Sequence, residues 1–119
     1  KLPDDSVPFW DFSMSNLPNE PRDVSAAAVI ADALIELSSY SIENGENYLY
    51  SANRILNSLK SNEYFNQTGT NGGFLLRHST GSKPGNSEVD VPLVYADYYF
   101  LEALQRQKSI LTNNLLSKN

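Results

Sequence analysis

The sequence predicts an all-α chain made of helical hairpins that form part of a larger helical assembly. Three observations predict it. Apolar residues recur at helical spacing over three separate stretches. An Asn44-Gly45 break of about six residues joins the first two, short enough for antiparallel neighbours. Three helices with one wide connection do not close a core by themselves, so their apolar faces require neighbours.

Residues 1–22 carry Pro3, Pro8, Pro18 and Pro21, four of the six prolines. Proline lacks the amide that a helix or ladder uses, so this lead is expected to be extended and looping. It is more than a tail, because Phe9, Trp10 and Phe12 cluster in it and aromatic rings need a surface. The first helix is expected from Val24 to Ser38. Asp23 is its N-cap, since a carboxylate can accept a free first-turn amide. Val24, Ala27, Ile30, Ala31, Leu34 and Leu37 form its stripe, and its many alanines keep it slim enough for close neighbours. The second is expected from Glu46 to Leu59, with Tyr48, Ala52, Ile55, Leu56 and Leu59 inward. Together they occupy 23–60.

Residues 61–89 read as a long irregular loop rich in Asn, Gly, Ser and Thr, and loops of that length inside compact domains are usually functional. Phe74-Leu75-Leu76 suggests a short strand between glycine turns. Closing helices are expected over 90–117. The third helix starts near Asp90, its cap, with Pro92 in the first turn, where a missing amide costs nothing. Val94, Tyr95, Tyr98, Leu101 and Leu104 form its stripe, and Tyr95, Tyr98 and Tyr99 default to core. A separate last stretch uses Ile110, Leu111 and Leu115.

Composition excludes several functions. With 40% hydrophobic residues in 119, a packed core is within reach and wholesale disorder is not expected. A net charge of −5 argues against duplex nucleic acid and against an anionic membrane surface. No apolar run approaches the roughly 20 residues of a membrane span. The absence of cysteine excludes disulfides and thiolate metal sites, and His78, the single histidine, cannot build a histidine metal site alone. No metal or other cofactor is expected. The chain begins with Lys1 rather than Met, so it reads as processed or as a piece of something longer.

Five runs, in order and in register, resemble the end of glycoside hydrolase family 88, the unsaturated glucuronyl hydrolases. They are 7–12 (VPFWDF), 22–28 (RDVSAAA), 34–37 (LIEL), 78–84 (HSTGSKP) and 87–104 (SEVDVPLVYADYYFLEAL). The resemblance implies an (α/α)6 toroid, six hairpins around a cleft, of which residues 1–119 would be the C-terminal segment of a single catalytic domain. It implies a substrate as well, an oligosaccharide left by a polysaccharide lyase and ending in a 4,5-unsaturated uronic acid. In that family an aspartic acid protonates the double bond, water adds, and the resulting hemiketal collapses to release the sugar. The reacting carboxyls lie upstream of the matching segment, so no catalytic residue is assigned here. The resemblance also implies a partner, the remainder of the same toroid, and a bacterial setting in cytoplasm or periplasm. Family 105, the unsaturated rhamnogalacturonyl hydrolases, fits the closing motifs less well. A non-catalytic helical module that binds protein or glycan is the alternative of a different class.

The resemblance places His78, Ser79, Ser82 and Lys83 at the cleft rim as substrate-binding residues. Hydroxyls, an ammonium and free amides suit sugar hydroxyls, carboxylates or sulfates. Some family members recognise sulfated sugars with a Ser/Ser/Lys set. Here Ser79 and Ser82 keep the three-residue spacing, but Lys83 follows at once. His78 is open between a structural hydrogen bond and a ligand contact. Trp10 is expected as a plug, with stacking on a sugar as its alternative. Asp23 is expected as a cap, Glu102 as a solvated or paired side chain, and Arg77 as the partner of a carboxylate in substrate or protein.

Overall fold

The computed structural model describes residues 2–15, 17 and 19–117. It contains three α-helices, α1 (Val24–Ser38), α2 (Gly45–Leu59) and α3 (Val94–Leu116), with a single 3-10 turn at Asn71–Gly73. Pro18, one of the lead prolines, lies outside the described residues. Strands are absent among the described residues; four isolated antiparallel bridges stand in their place.

α1 begins where the cap predicts. Asp23 has an extended backbone and its carboxylate accepts the amides of Ser25 and Ala26 at 3.0 and 3.3 Å. The helix lies between α2 and α3 and packs on both. Ile30 and Leu34 face α2, where they line a groove with Ser51, Arg54 and Ile55. Asp32 and Glu36 face α3, where they meet Arg106. The alanine run makes this possible: Ala27, Ala28 and Ala31 are fully buried and let both neighbours approach. The hairpin to α2 closes at Gly45, where a Cβ would lie 2.7 Å from the Ser38 carbonyl oxygen. Ala52, Ile55, Leu56 and Leu59 bury as expected, and Tyr48 is half-buried.

α3 departs from expectation in three ways. It starts at Val94, not near Asp90. Pro92 forces Val91 towards extended backbone, and Val91 then exchanges hydrogen bonds with Ser79 in both directions, at 3.0 and 2.9 Å. A helix can start only beyond that pairing, so Asp90 is not its cap and Pro92 precedes its first turn. Next, the two expected helical stretches are one helix of 23 residues, since neither glycine nor proline interrupts it after Pro92. Finally, the buried stripe is Ala96, Phe100 and Ala103, against α1. Of the expected stripe, Leu104 packs against the core, as does Tyr99, while the other four residues lie on the opposite side. Val94 is 73% and Tyr98 59% exposed, and Tyr95 and Leu101 are exposed too. α3 therefore carries two apolar faces, one packed and one open, and the open one is what an arc awaiting a neighbour requires.

The loop of 61–89 is not structureless. Tyr64 to Asn66 run beside Leu75 to Arg77, with Asn66 N–H donating to Leu75 O at 2.8 Å and Arg77 N–H to Tyr64 O at 3.1 Å. Residues 74–76 make the single bridge Phe65 to Leu76 rather than a strand. Leu76 is fully buried in the cluster shared by the three helices, so the loop is anchored in the core.

A candidate substrate-contact finger

Residues 78–91 form a narrow finger. Its root is the Ser79–Val91 bridge, its shaft the Gly81 N–H to Glu88 O bond at 2.7 Å, and its upper rung the Ser82–Ser87 bridge. A turn from Lys83 to Asn86, closed by a 3.0 Å backbone bond, makes the tip. The finger is stitched to the start of α1. The His78 carbonyl accepts the Val24 amide at 3.2 Å, Thr80 Oγ1 donates to Arg22 O at 3.0 Å, and the Thr80 amide reaches Asp23 Oδ1 at 3.4 Å. Asp23 thus caps the helix and holds the finger with the same oxygen. A second carboxylate fastens the segment just before the finger: Asp97 on α3 accepts the Leu75 amide at 2.8 Å on one oxygen and the Leu76 amide at 2.9 Å on the other.

The finger brings its four expected residues onto one element but not onto one point. His78 is half-exposed at the root, and its Nδ1 sits 2.6 Å from Asp90 Oδ1. Ser79 is 0% exposed, and its Oγ has no hydrogen-bond partner. Ser82 is exposed near the tip. Lys83 Nζ pairs with Glu20 Oε2 and stands 5.6 Å from the centre of the Trp10 ring. The Glu20 side chain is only 5% exposed and also accepts the Trp10 indole N–H at 2.9 Å. The Lys83 ammonium, on a side chain 37% exposed, balances this buried carboxylate. Trp10 forms one wall of this clamp.

The lead is tied down further along. Arg22 reaches Asp5 at 3.1 Å, donates to the Val7 carbonyl, and lies 4.4 Å from the centroid of Phe9. Tyr64 donates to Asp5 at 2.6 Å, and its edge meets His78 at 6.2 Å between centroids. Burial, aided by the bond to Asp5, holds the Tyr64 phenol well above its ordinary range, so it stays protonated. Arg77 is used by protein: it donates to the carbonyls of Asn62 and Phe65. Beside it an amide-rich groove of about 570 Å³ is lined by Asn62, Asn66, Gln67 and Asn71.

Among the described residues no cluster of three metal-ligating side chains occurs. Burial pushes the Asp32 carboxyl above the usual aspartate value, against the opposing pull of Arg106. It lies between α1 and α3, away from the finger, and is ion-paired, so it has the elevated affinity of a general acid without the access one needs. Glu20, Asp90 and Asp97 do the holding, and sequence patterning did not single out Glu20 or give Asp90 and Asp97 these partners. Glu20 lies in a proline-rich stretch that has no periodicity to mark it. Asp97 gains its role only once the loop folds back on α3.

No protein-family model matches the chain. Individual proteins do. It is 48% identical over 92% of its length to the unsaturated glucuronyl hydrolase of Formosa agariphila, spanning 27% of that protein. It superposes on a solved unsaturated glucuronyl hydrolase specific for heparin with a TM-score of 0.90 and 49% identity, over 93% of this chain and 30% of that one. It also superposes on a variant of the Streptococcus agalactiae enzyme complexed with dGlcA-GalNAc6S, with a TM-score of 0.80 and 35% identity, over 88% of this chain and 28% of that one. The helical layer with its finger is therefore an arc of an α/α toroid, of the class that includes these glycoside hydrolases. The chain belongs to the unsaturated glucuronyl hydrolase family, glycoside hydrolase family 88, and spans less than a third of the length of the relatives it matches.

Proposed function

We propose that this chain is the C-terminal segment of a single catalytic toroid domain that releases 4,5-unsaturated uronic acid from lyase-generated oligosaccharides by hydrating the double bond. The observation that carries the reading is the 0.90 TM-score at 49% identity to a solved enzyme of that activity. In it the segment supplies scaffold and one wall of the cleft. The reacting carboxyls belong to the part of the toroid outside residues 1–119, and these residues alone turn nothing over. The open apolar face of α3, with Val94, Tyr98 and Leu101, packs against that remaining part of the domain. Neither nucleic acid nor a membrane is a partner, in keeping with the net charge of −5.

In this reading the finger contacts the sugar. His78 and Ser82 carry exposed polar atoms suited to sugar hydroxyls, and Ser79 and Lys83 fix the shape of the finger beneath them. Heparin-derived disaccharides are the favoured substrates, because the solved enzyme at 49% identity is described as specific for heparin. The alternative is a chondroitin-type product such as the one bound to the Streptococcus agalactiae variant. The test is turnover by the full-length protein, followed as loss of the ultraviolet absorbance of the unsaturated uronic acid, on disaccharides from heparin, chondroitin and pectin lyases. Faster loss with the heparin products supports the reading. Turnover of pectin products alone would replace it with a family 105-like activity, and no turnover of any would leave a non-catalytic binding module.

A further inference from the structure

His78 lies one residue outside the Ser79–Val91 bridge and Asp90 one residue inside it, so the two meet on a diagonal across the finger root. Both have positive φ, 69° and 55°, in the left-handed region that L-residues rarely occupy but that aspartate and histidine tolerate better than most. The paired left-handed turns bring the two side chains together, 2.6 Å from Nδ1 to Oδ1. The backbone around them is fixed on every side: Ser79 and Val91 exchange amide bonds, the His78 carbonyl takes the first amide of α1, and the Asp90 amide reaches Thr80 Oγ1 at 3.4 Å. The Tyr64 ring edge limits rotation of the imidazole, with the two rings at 82°. Among the described residues Nε2 has no hydrogen-bond partner, although the ring is half-exposed.

A carboxylate on one imidazole nitrogen decides what the other nitrogen offers. Asp90 is acceptor-only when ionised, so Nδ1 must carry a proton to bond it. In the neutral ring Nε2 is then a lone pair, turned outward by the Asp90 contact.

We propose that Asp90 is a positioning residue: it holds His78 in the Nδ1–H form and aims the Nε2 lone pair at a sugar hydroxyl of the bound oligosaccharide. This rests on the reading that the finger contacts substrate. It assigns Asp90 to the site through His78 rather than to the start of α3.

The experiment uses the full-length protein with an unsaturated heparin-derived disaccharide. Asp90→Ala and His78→Ala each lower kcat/KM about tenfold, the loss expected when one hydrogen bond to a substrate hydroxyl is removed. The double variant is no worse than His78→Ala, because Asp90 acts only through the ring. Asp90→Asn keeps most of the activity, since its amide oxygen still accepts Nδ1–H. Nitrogen-15 NMR of labelled histidine shows the Nδ1–H form in the parent and a shift towards Nε2–H in Asp90→Ala. Additive losses in the double variant, Asp90→Asn as impaired as Asp90→Ala, or an unchanged tautomer would each overturn the assignment. If His78→Ala is impaired while Asp90→Ala matches the parent, the positioning role alone falls. If His78→Ala matches the parent, the substrate-contact reading of His78 falls with it.

Discussion

Arg106 on α3 lies 3.0 Å from Asp32 on α1, Nε to Oδ1, yet that oxygen accepts no hydrogen bond. The contact is charge against charge without alignment. That is why the loss of water around Asp32 outweighs the arginine and raises its affinity for a proton. The same guanidinium also serves Glu36 at 2.6 Å and Glu102 at 3.5 Å, and the bond to Glu36 chiefly holds the Arg106 proton more tightly than usual. One cation between three carboxylates ties the two helices. Replacing Arg106 by Met in the full-length protein leaves those carboxylates facing one another. A loss of roughly 2–3 kcal/mol is expected, read by urea unfolding.

The pH dependence of that cluster has a definite sign. The folded protein binds the Asp32 proton more tightly than the unfolded chain does. Protonation therefore favours folding, and the ionised group costs stability at neutral pH. As pH falls from 7 towards the ordinary aspartate value of 3.8, this penalty disappears. The stability of the parent measured relative to an Asp32→Asn variant should rise over that window. A flat or falling difference across the same range would contradict the burial of an ionised Asp32.

Asp97 anchors the segment that leads into the finger through the amides of Leu75 and Leu76. Hydrogen bonds to a charged group contribute about 1.5–3 kcal/mol each, so Asp97→Ala should loosen this segment more than it loosens the helices. Hydrogen exchange at Leu75 and Leu76 should accelerate markedly while amides in the middle of α1 change little.

Gly45 offers a test of the hairpin. A methyl group there meets the Ser38 carbonyl at 2.7 Å, and backbone cannot give way as a side chain can. Gly45→Ala is expected to cost roughly 1–3 kcal/mol in thermal or urea unfolding, despite the higher helix propensity of alanine.

Ser82 and Lys83 should separate in function. Ser82 is exposed and its side chain is dispensable to the fold, so Ser82→Ala should weaken substrate use with little change in melting temperature. Lys83→Ala removes the ammonium that pairs with the buried Glu20 carboxylate and should lower stability by about 2 kcal/mol, much of it recovered in a Glu20→Gln, Lys83→Ala double variant.

Much of the architecture was legible because local rules and packing agree. Asp23, the alanine run and the Asn44-Gly45 break mark α1 and its hairpin without tertiary information. α3 misled for a physical reason: large apolar residues occur on both sides of it, with Val94, Tyr98 and Leu101 on the face left open here and Phe100 and Leu104, between small Ala96 and Ala103, on the packed one. A periodicity argument picks one stripe and cannot tell which neighbour is present. The finger was located by its length and composition, but its wiring was not. Backbone bonds to Asp97, the Glu20 clamp and the left-handed pair at His78 and Asp90 are contacts between distant residues, and spacing along the chain does not encode them.

The most direct measurement follows the ultraviolet absorbance of an unsaturated heparin-derived disaccharide with three samples: the full-length protein, the 119-residue chain alone, and that chain mixed with a separately produced remainder of the protein. The account predicts loss of absorbance with the first, none with the second and partial recovery with the third. Turnover by the 119-residue chain alone would contradict it, because a reacting carboxyl would then have to lie within these helices.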